Sequence, residues 1–231
     1  VANASHELRS PLTVISGYLE TLNHDPALDS DLKAPVAEMR RQAERMTGII
    51  RDLLELSRLE ETGEALGGQP IDVAALLALL RKDTVARPVH PRDIRVQVES
   101  DAQLIGDEPE IHSAFSNLVD NAAKYTPAEG SLEMRWWVDD DGGHFAVSDT
   151  GMGIPAEHIP RLTERFYRVD AGRSRSTGGS GLGLAIVRHV LQRHGATLEV
   201  QSTLGSGSTF TCHFPPERIR AFSRPVTTVS A

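Results

Sequence analysis

His6 is followed directly by Glu7, with Ser10 three residues beyond, in the run S-H-E-L-R-S-P-L-T at residues 5–13. An imidazole attacks through one ring nitrogen and is helped when a carboxylate orients the ring or takes its proton. Asn117 and Asn121 stand four apart, with Lys124 and Tyr125 following, in N-L-V-D-N-A-A-K-Y-T at 117–126. On a helix the two amides share a face; their oxygens suit the hard ion magnesium, and the ammonium can answer phosphate charge. Asp149 opens D-T-G-M-G at 149–153, one residue beyond the apolar stretch Phe145–Val147. A carboxylate at a strand end can accept from an exocyclic amine, while Gly151 and Gly153 admit a flat base close to the backbone. The fourth segment, G-G-S-G-L-G-L at 178–184, contains Gly179, Gly181, Leu182 and Gly183 and runs into a helical pattern, which offers backbone N–H groups to phosphates. Together these residue types fit the transfer of a phosphoryl group from a nucleotide to a histidine.

Each signal has a plain alternative when taken alone. A His-Glu pair on a helix is usually solvated surface, two Asn and a Lys are common surface groups, and D-x-G at a strand end is usually a turn. The glycine loop is not a Walker loop, because no G-K-S/T follows, nor a dinucleotide fingerprint, because no strand abuts it. Between the two glycine sites, residues 165–177 are basic and Ser/Gly-rich in a chain that is otherwise acidic. This stretch reads as a mobile lid beside phosphates, with Phe166 expected in the core and Arg168 among the available cations.

The elements that must position these groups follow from periodicity. Leu8, Leu12, Ile15, Leu19 and Leu22 draw one helical stripe over residues 2–23, with Pro11 expected to loosen or kink it just after His6. After a turn at residues 23–26, a second stripe runs from about Ser30 to Leu59. Two long helices joined by a short turn form an antiparallel hairpin, which buries its remaining apolar stripe by dimerising into a four-helix bundle. The breaker-rich run at 61–70 marks the domain boundary. Beyond it the patterns predict helices at 73–85, 109–125 and 181–194, and strands at 94–99, 131–138, 144–148, 197–202 and 208–214. Their irregular order favours an α/β sandwich over a doubly wound sheet. The predicted division is 1–62 hairpin, 63–70 linker, 71–215 second domain, and 216–231 a featureless, disordered tail.

The 32 acidic and 24 basic residues of the 231 leave a formal charge of −8, which argues against a duplex nucleic-acid binder. The single cysteine, Cys212, lies in an alternating stretch and is expected to be buried; it rules out a disulfide framework within the chain. No signal peptide and no 18-residue apolar run appears, so the chain reads as soluble. His6 stands close to the start, an odd place for a nucleophile unless the chain is a fragment of something longer.

In these motifs, over residues 1 to about 215, the chain resembles the cytoplasmic catalytic core of a two-component sensor histidine kinase, nearest the phosphate-sensing subgroup. The resemblance implies that His6 is the phosphoacceptor and Glu7 its acid/base partner. It implies that Asn121, supported by Asn117, holds Mg2+. Lys124 and Arg168 face the phosphates of ATP, Tyr125 packs at the adenine, and Asp149 reads its amino group in a pocket shaped by Gly151 and Gly153. Gly179, Gly181, Leu182 and Gly183 belong to the phosphate loop, and Phe166 marks the lid. Where the family usually carries threonine or asparagine, this chain has Ser10, which would position the water for response-regulator dephosphorylation. A homodimer and a response-regulator receiver domain are the implied partners, the receiver meeting the first helix near Leu12, Ile15 and Gly17. Membrane attachment to an inner membrane would come only through a sensor region on the N-terminal side. Two other readings compete: an ATPase of the same superfamily with Glu110 as its acid, and a dimeric scaffold with a vestigial pocket.

Overall fold

The computed structural model describes residues 2–25, 28–61, 68–169 and 179–221, with side chains from residue 11 onward, and the chain divides into two units. One comprises residues 1–62 and 162–186; the other comprises 63–161 and 187–231.

In the first unit, α1 (Ala2–His24) and α2 (Ser30–Glu61) pack as an antiparallel hairpin. Leu19 meets Val36 and Ala43 near the turn, with Leu28 packed against them. The turn is short because Asp29 accepts the Asp31 N–H at 3.1 Å, a cap that starts α2 at once. The helix continues through Pro11, so the proline does not end it. A proline gives up the bond to the carbonyl four residues back and crowds that carbonyl, but the stripe on either side keeps the helix together. Leu12 is buried, which removes it from the expected receiver surface, whereas Ile15 is exposed. Leu32, Met39, Met46 and Leu53 recur every seven residues along α2, and all four are exposed. Tyr18 and Leu22 of α1 are exposed as well.

The second unit is built on a five-stranded mixed sheet of β2 (Asp93–Val98), β4 (Ser131–Asp139), β5 (Gly142–Asp149), β6 (Thr197–Thr203) and β7 (Gly207–Phe214). Its order is β2-β4-β5-β7-β6, and only the β2–β4 pair is parallel. A small antiparallel sheet, β1 (Gln69–Ile71), β3 (Gln103–Gly106) and β8 (Ile219–Arg220), stands beside it. These short strands carry too few residues for a readable alternation. They correct two expectations: residues 69–70 belong to a strand rather than a linker, and 216–220 form a 3-10 turn and a strand rather than a disordered tail.

Three helices complete this layer: α3 (Val73–Val85), α4 (Glu108–Tyr125) and α5 (Gly183–Arg193). Phe115 of α4 stacks on Phe145 of β5 with ring centroids 3.8 Å apart, and meets Phe214 of β7 edge-on at 6.1 Å. Trp136, Phe145, Val147, Phe210 and Cys212 are buried; β4 and β7 alternate between buried and partly exposed positions, while β5 is buried continuously from Gly142 to Val147. Burial pushes the Cys212 thiol far up, so it stays protonated and inert, as its strand position suggested.

Candidate active site

Helix α4 is set by its first turn. The Asp107 side chain accepts the Glu110 N–H at 3.1 Å, and the Asp107 N–H donates to Nε2 of the buried His194 at 3.1 Å. The other ring nitrogen of His194 donates to the Val190 carbonyl at 2.8 Å, which fixes the neutral tautomer. Burial lowers the His194 pKa, and the neutral ring joins the start of α4 to the end of α5. Glu110 is 4% exposed and accepts from Arg193 Nε at 3.0 Å. That pairing gives Glu110 a structural role and counts against it as the acid of an ATPase.

Further along α4, Ile111, Phe115, Leu118, Val119 and Ala122 take the core face. Asn117 and Asn121 are left half-buried at the edge of that face, four residues apart. The Asn117 amide donates through Nδ2 to the Ser113 carbonyl at 2.9 Å, which leaves its oxygen as the atom that can accept or ligate. The Asn121 side chain makes no hydrogen bond to another described residue. Lys124 Nζ lies 4.9 Å from the ring centroid of Tyr125, which is exposed at the helix end. Among the described residues no group of three or more His, Cys, Asp or Glu side chains could hold a metal ion. The two amide oxygens are hard, neutral donors, a set that fits magnesium carrying several waters and phosphate oxygens of its own.

Asp149 ends β5, and its carboxylate accepts the Gly151 N–H at 2.8 Å. Burial raises its pKa, while the backbone N–H groups of Gly151 and Ser208 pull the other way. Gly151 has no room for a side chain: a Cβ there would stand 2.5 Å from the Tyr125 carbonyl oxygen. This close approach brings the D-T-G-M-G turn against the end of α4, so two of the sequence motifs meet at one place. Gly153 sits at φ +66, where a Cβ would come within 2.1 Å of the Thr203 carbonyl. Thr150, which no motif singles out, adds a tie: its Oγ1 accepts the Ser131 N–H at 2.9 Å. Ser208 and Gly207 belong to the site as well, Ser208 through its backbone N–H to the Asp149 carboxylate. Gly207, at φ +112, is required where β7 starts beside Asp149, since a Cβ there would stand 1.9 Å from the Asp149 carbonyl oxygen. The G-S-G-S run at 205–208 was the available signal.

The glycine loop and Phe166 belong to the first unit. Phe166 is 55% exposed, contrary to the expectation of a core position, and has φ 60. Its N–H donates to the Gly181 carbonyl at 2.8 Å, and that backbone bond rather than side-chain burial holds it in place. Gly181 is itself at φ +74. The Leu182 side chain is fully buried, so it can meet a ligand only through its backbone, whose N–H donates to Ser180 Oγ at 3.1 Å. Gly179, Gly183 and Arg168 are half-buried. The side chains of His6, Glu7 and Ser10, most of the 63–70 run, and the basic stretch 170–178 with Gly178 lie outside the described residues.

Two family models match the chain: "His Kinase A (phospho-acceptor) domain" over residues 1–62, and "Histidine kinase-, DNA gyrase B-, and HSP90-like ATPase" over 106–218. The phosphate regulon sensor protein PhoR of Pseudomonas aeruginosa is 52% identical over 228 residues, covering 97% of this chain and 51% of that protein. PhoR of Haemophilus influenzae is 38% identical over 215 residues, covering 93% of the chain and 50% of its own length. The chain thus spans about half the length of these curated relatives. Among solved structures, full-length ShkA in complex with AMPPNP superposes with a TM-score of 0.74 at 26% identity, over 97% of this chain and 46% of that one. The mycobacterial sensor histidine kinase MprB gives 0.57 at 30% identity, over 67% of this chain and 99% of that one. No described helix is long and apolar enough to cross a membrane.

Proposed function

This chain belongs to the sensor histidine kinases, and from that premise we propose that it phosphorylates its own His6 from ATP and passes the phosphoryl group to an aspartate of a response-regulator receiver domain. The observation that carries this reading is the seating of Gly151 against the Tyr125 carbonyl, which sets the Asp149 carboxylate beside the end of the amide-bearing helix α4. Asp149 accepts the exocyclic amine of adenine, Tyr125 flanks the base, and Gly151 and Gly153 keep the space beside it open. Lys124, Arg168 and the backbone of Gly179, Gly181, Leu182 and Gly183 answer the phosphates; Phe166 closes the loop from its other end. Asn121 and Asn117 would hold Mg2+, which when bound screens the phosphate charge.

In the chemical step the His6 imidazole nitrogen forms a bond to the γ-phosphorus as the bond to the bridging oxygen breaks, and ADP leaves with that oxygen. Glu7 orients the ring and receives the displaced proton. Ser10 would position the water that hydrolyses the receiver's phosphoaspartate, releasing inorganic phosphate and the free carboxylate. The exposed seven-residue repeat of α2 is the seam of a homodimeric four-helix bundle. Residues 63–68 join the bundle to the ATP-binding domain, and any sensor and membrane anchor would precede the hairpin.

The test is incubation with γ-labelled ATP and magnesium, followed by acid and alkali. Label that survives alkali and is lost in acid, and that is absent from His6→Ala, is the expected result. Label retained on His6→Ala would overturn the assignment.

A further inference from the structure

Helix α2 is tied to the segment that carries the glycine loop, all within one unit. Ser180 Oγ donates to Asp52 Oδ2 at 2.8 Å while accepting the Leu182 N–H at 3.1 Å. Two turns further along α2, Glu60 pairs with Arg165, and the next residue, Phe166, closes by its backbone on Gly181. The Asp52 side chain is 17% exposed, and its cationic neighbour, Arg51 Nε at 3.7 Å, belongs to a largely solvated side chain. A carboxylate with little water and a weakly held counter-charge therefore sits against the loop.

This location has an electrostatic cost for an anionic ligand. The loop and the start of α5 offer N–H groups and the positive end of a helix, the features that attract phosphate. Asp52 already draws on that potential through Ser180, and the Leu182 N–H is committed to the same hydroxyl. A polyanionic triphosphate brought to these donors meets a like charge at short range in a poorly solvated place, where screening is weak. The loop cannot keep its bond to Asp52 and turn the same groups to phosphate.

We propose that Asp52 is an antagonist of nucleotide binding built into the hairpin: its hydrogen bond holds the Ser180 loop on α2 and must release before the loop engages the triphosphate. The proposal rests on reading Gly179–Gly183 as the phosphate loop. Because coupling between sites is reciprocal, a bound nucleotide weakens the tie to α2 by the same factor by which the tie weakens binding. The hairpin is thus informed of nucleotide occupancy at Asp52, some distance along α2 from the turn.

Titration calorimetry with ATP and magnesium tests this on the full chain. Asp52→Ala is expected to lower Kd by roughly 5-fold or more, the scale of an ordinary coupling, with Asp52→Asn between it and the parent because it keeps an acceptor without the charge. An unchanged or raised Kd for Asp52→Ala would overturn the proposal, a raised value meaning that Asp52 props the loop in its binding pose. A second variant carries Asp52→Cys and Ser180→Cys, so the tie can be locked and unlocked in one folded protein. Oxidation is expected to weaken binding and reductant to restore it; equal affinity in both states overturns the proposal. Absence of binding by every variant removes the nucleotide reading and this inference together, whereas binding that ignores Asp52 removes this inference alone.

Discussion

The Phe166 N–H donates to the Gly181 carbonyl at 2.8 Å, and both residues hold positive φ, 60 and 74. Their backbones are in contact, since a Cβ on Gly181 would stand 2.9 Å from both Cα and the carbonyl carbon of Phe166. Glycine at 181 is therefore required twice, by conformation and by space.

Gly181→Ala should cost about 1–3 kcal/mol at this site, the usual range for a residue forced into the left-handed region. The expected outcome is a lower unfolding midpoint in urea together with at least a tenfold loss of ATP affinity, read by calorimetry. A variant with parental affinity would show that the Phe166–Gly181 contact does not shape the nucleotide loop.

Asp149→Asn should separate binding from stability. Burial raises the Asp149 pKa above its unfolded value, so the folded state binds the extra proton and the ionised form costs stability. That cost is fully present above the folded pKa and vanishes as pH falls below the unfolded value. The variant should thus melt higher than the parent at pH 7, with the gain shrinking toward pH 4, while binding ATP more weakly. Scanning calorimetry of both proteins across that range checks the sign.

His194 predicts an opposite slope. Its folded pKa lies below its unfolded one, so the unfolded state takes up the proton first and stability falls as pH drops from about 6.5 toward the folded value. His194→Gln should flatten this slope, at a cost of about 1–2 kcal/mol for imperfect packing. Urea midpoints at several pH values between 5 and 7.5 measure it; a parental slope in the variant would assign the acid sensitivity elsewhere.

The proposed dimer seam is tested by placing charge on the exposed repeat of α2. Met39→Glu combined with Met46→Glu should convert the protein to a monomer in sedimentation velocity, because burying two carboxylates against their symmetry mates costs several kcal/mol. ATP binding should persist. A variant that remains dimeric would move the interface to another face of the hairpin.

Much of this arrangement was legible from residues alone. The 3.6-residue stripes fixed the two long helices, and the period-two runs fixed β4 to β7, because each pattern reports one buried face. The helical spacing of Asn117 and Asn121 and the strand-end position of Asp149 were readable for the same reason. Pro11 stands inside the first stripe, yet α1 continues through it, because the packing of a long amphipathic helix outweighs a single missing hydrogen bond. Phe166 misled: its side chain type suggested a core, while its place is set by a backbone bond to Gly181 that no side chain announces.

The sequence by itself determined the chemistry on offer, an imidazole, paired amides, a carboxylate and a glycine loop, since residue type and local spacing carry that information. Tertiary structure alone decided which of them are neighbours: Gly151 lying on the Tyr125 carbonyl, Glu110 neutralised by Arg193, and Ser180 held by Asp52. These pairs are 26, 83 and 128 residues apart in the chain. Contacts over such distances are selected by the packing of each unit, and local propensity has no bearing on them.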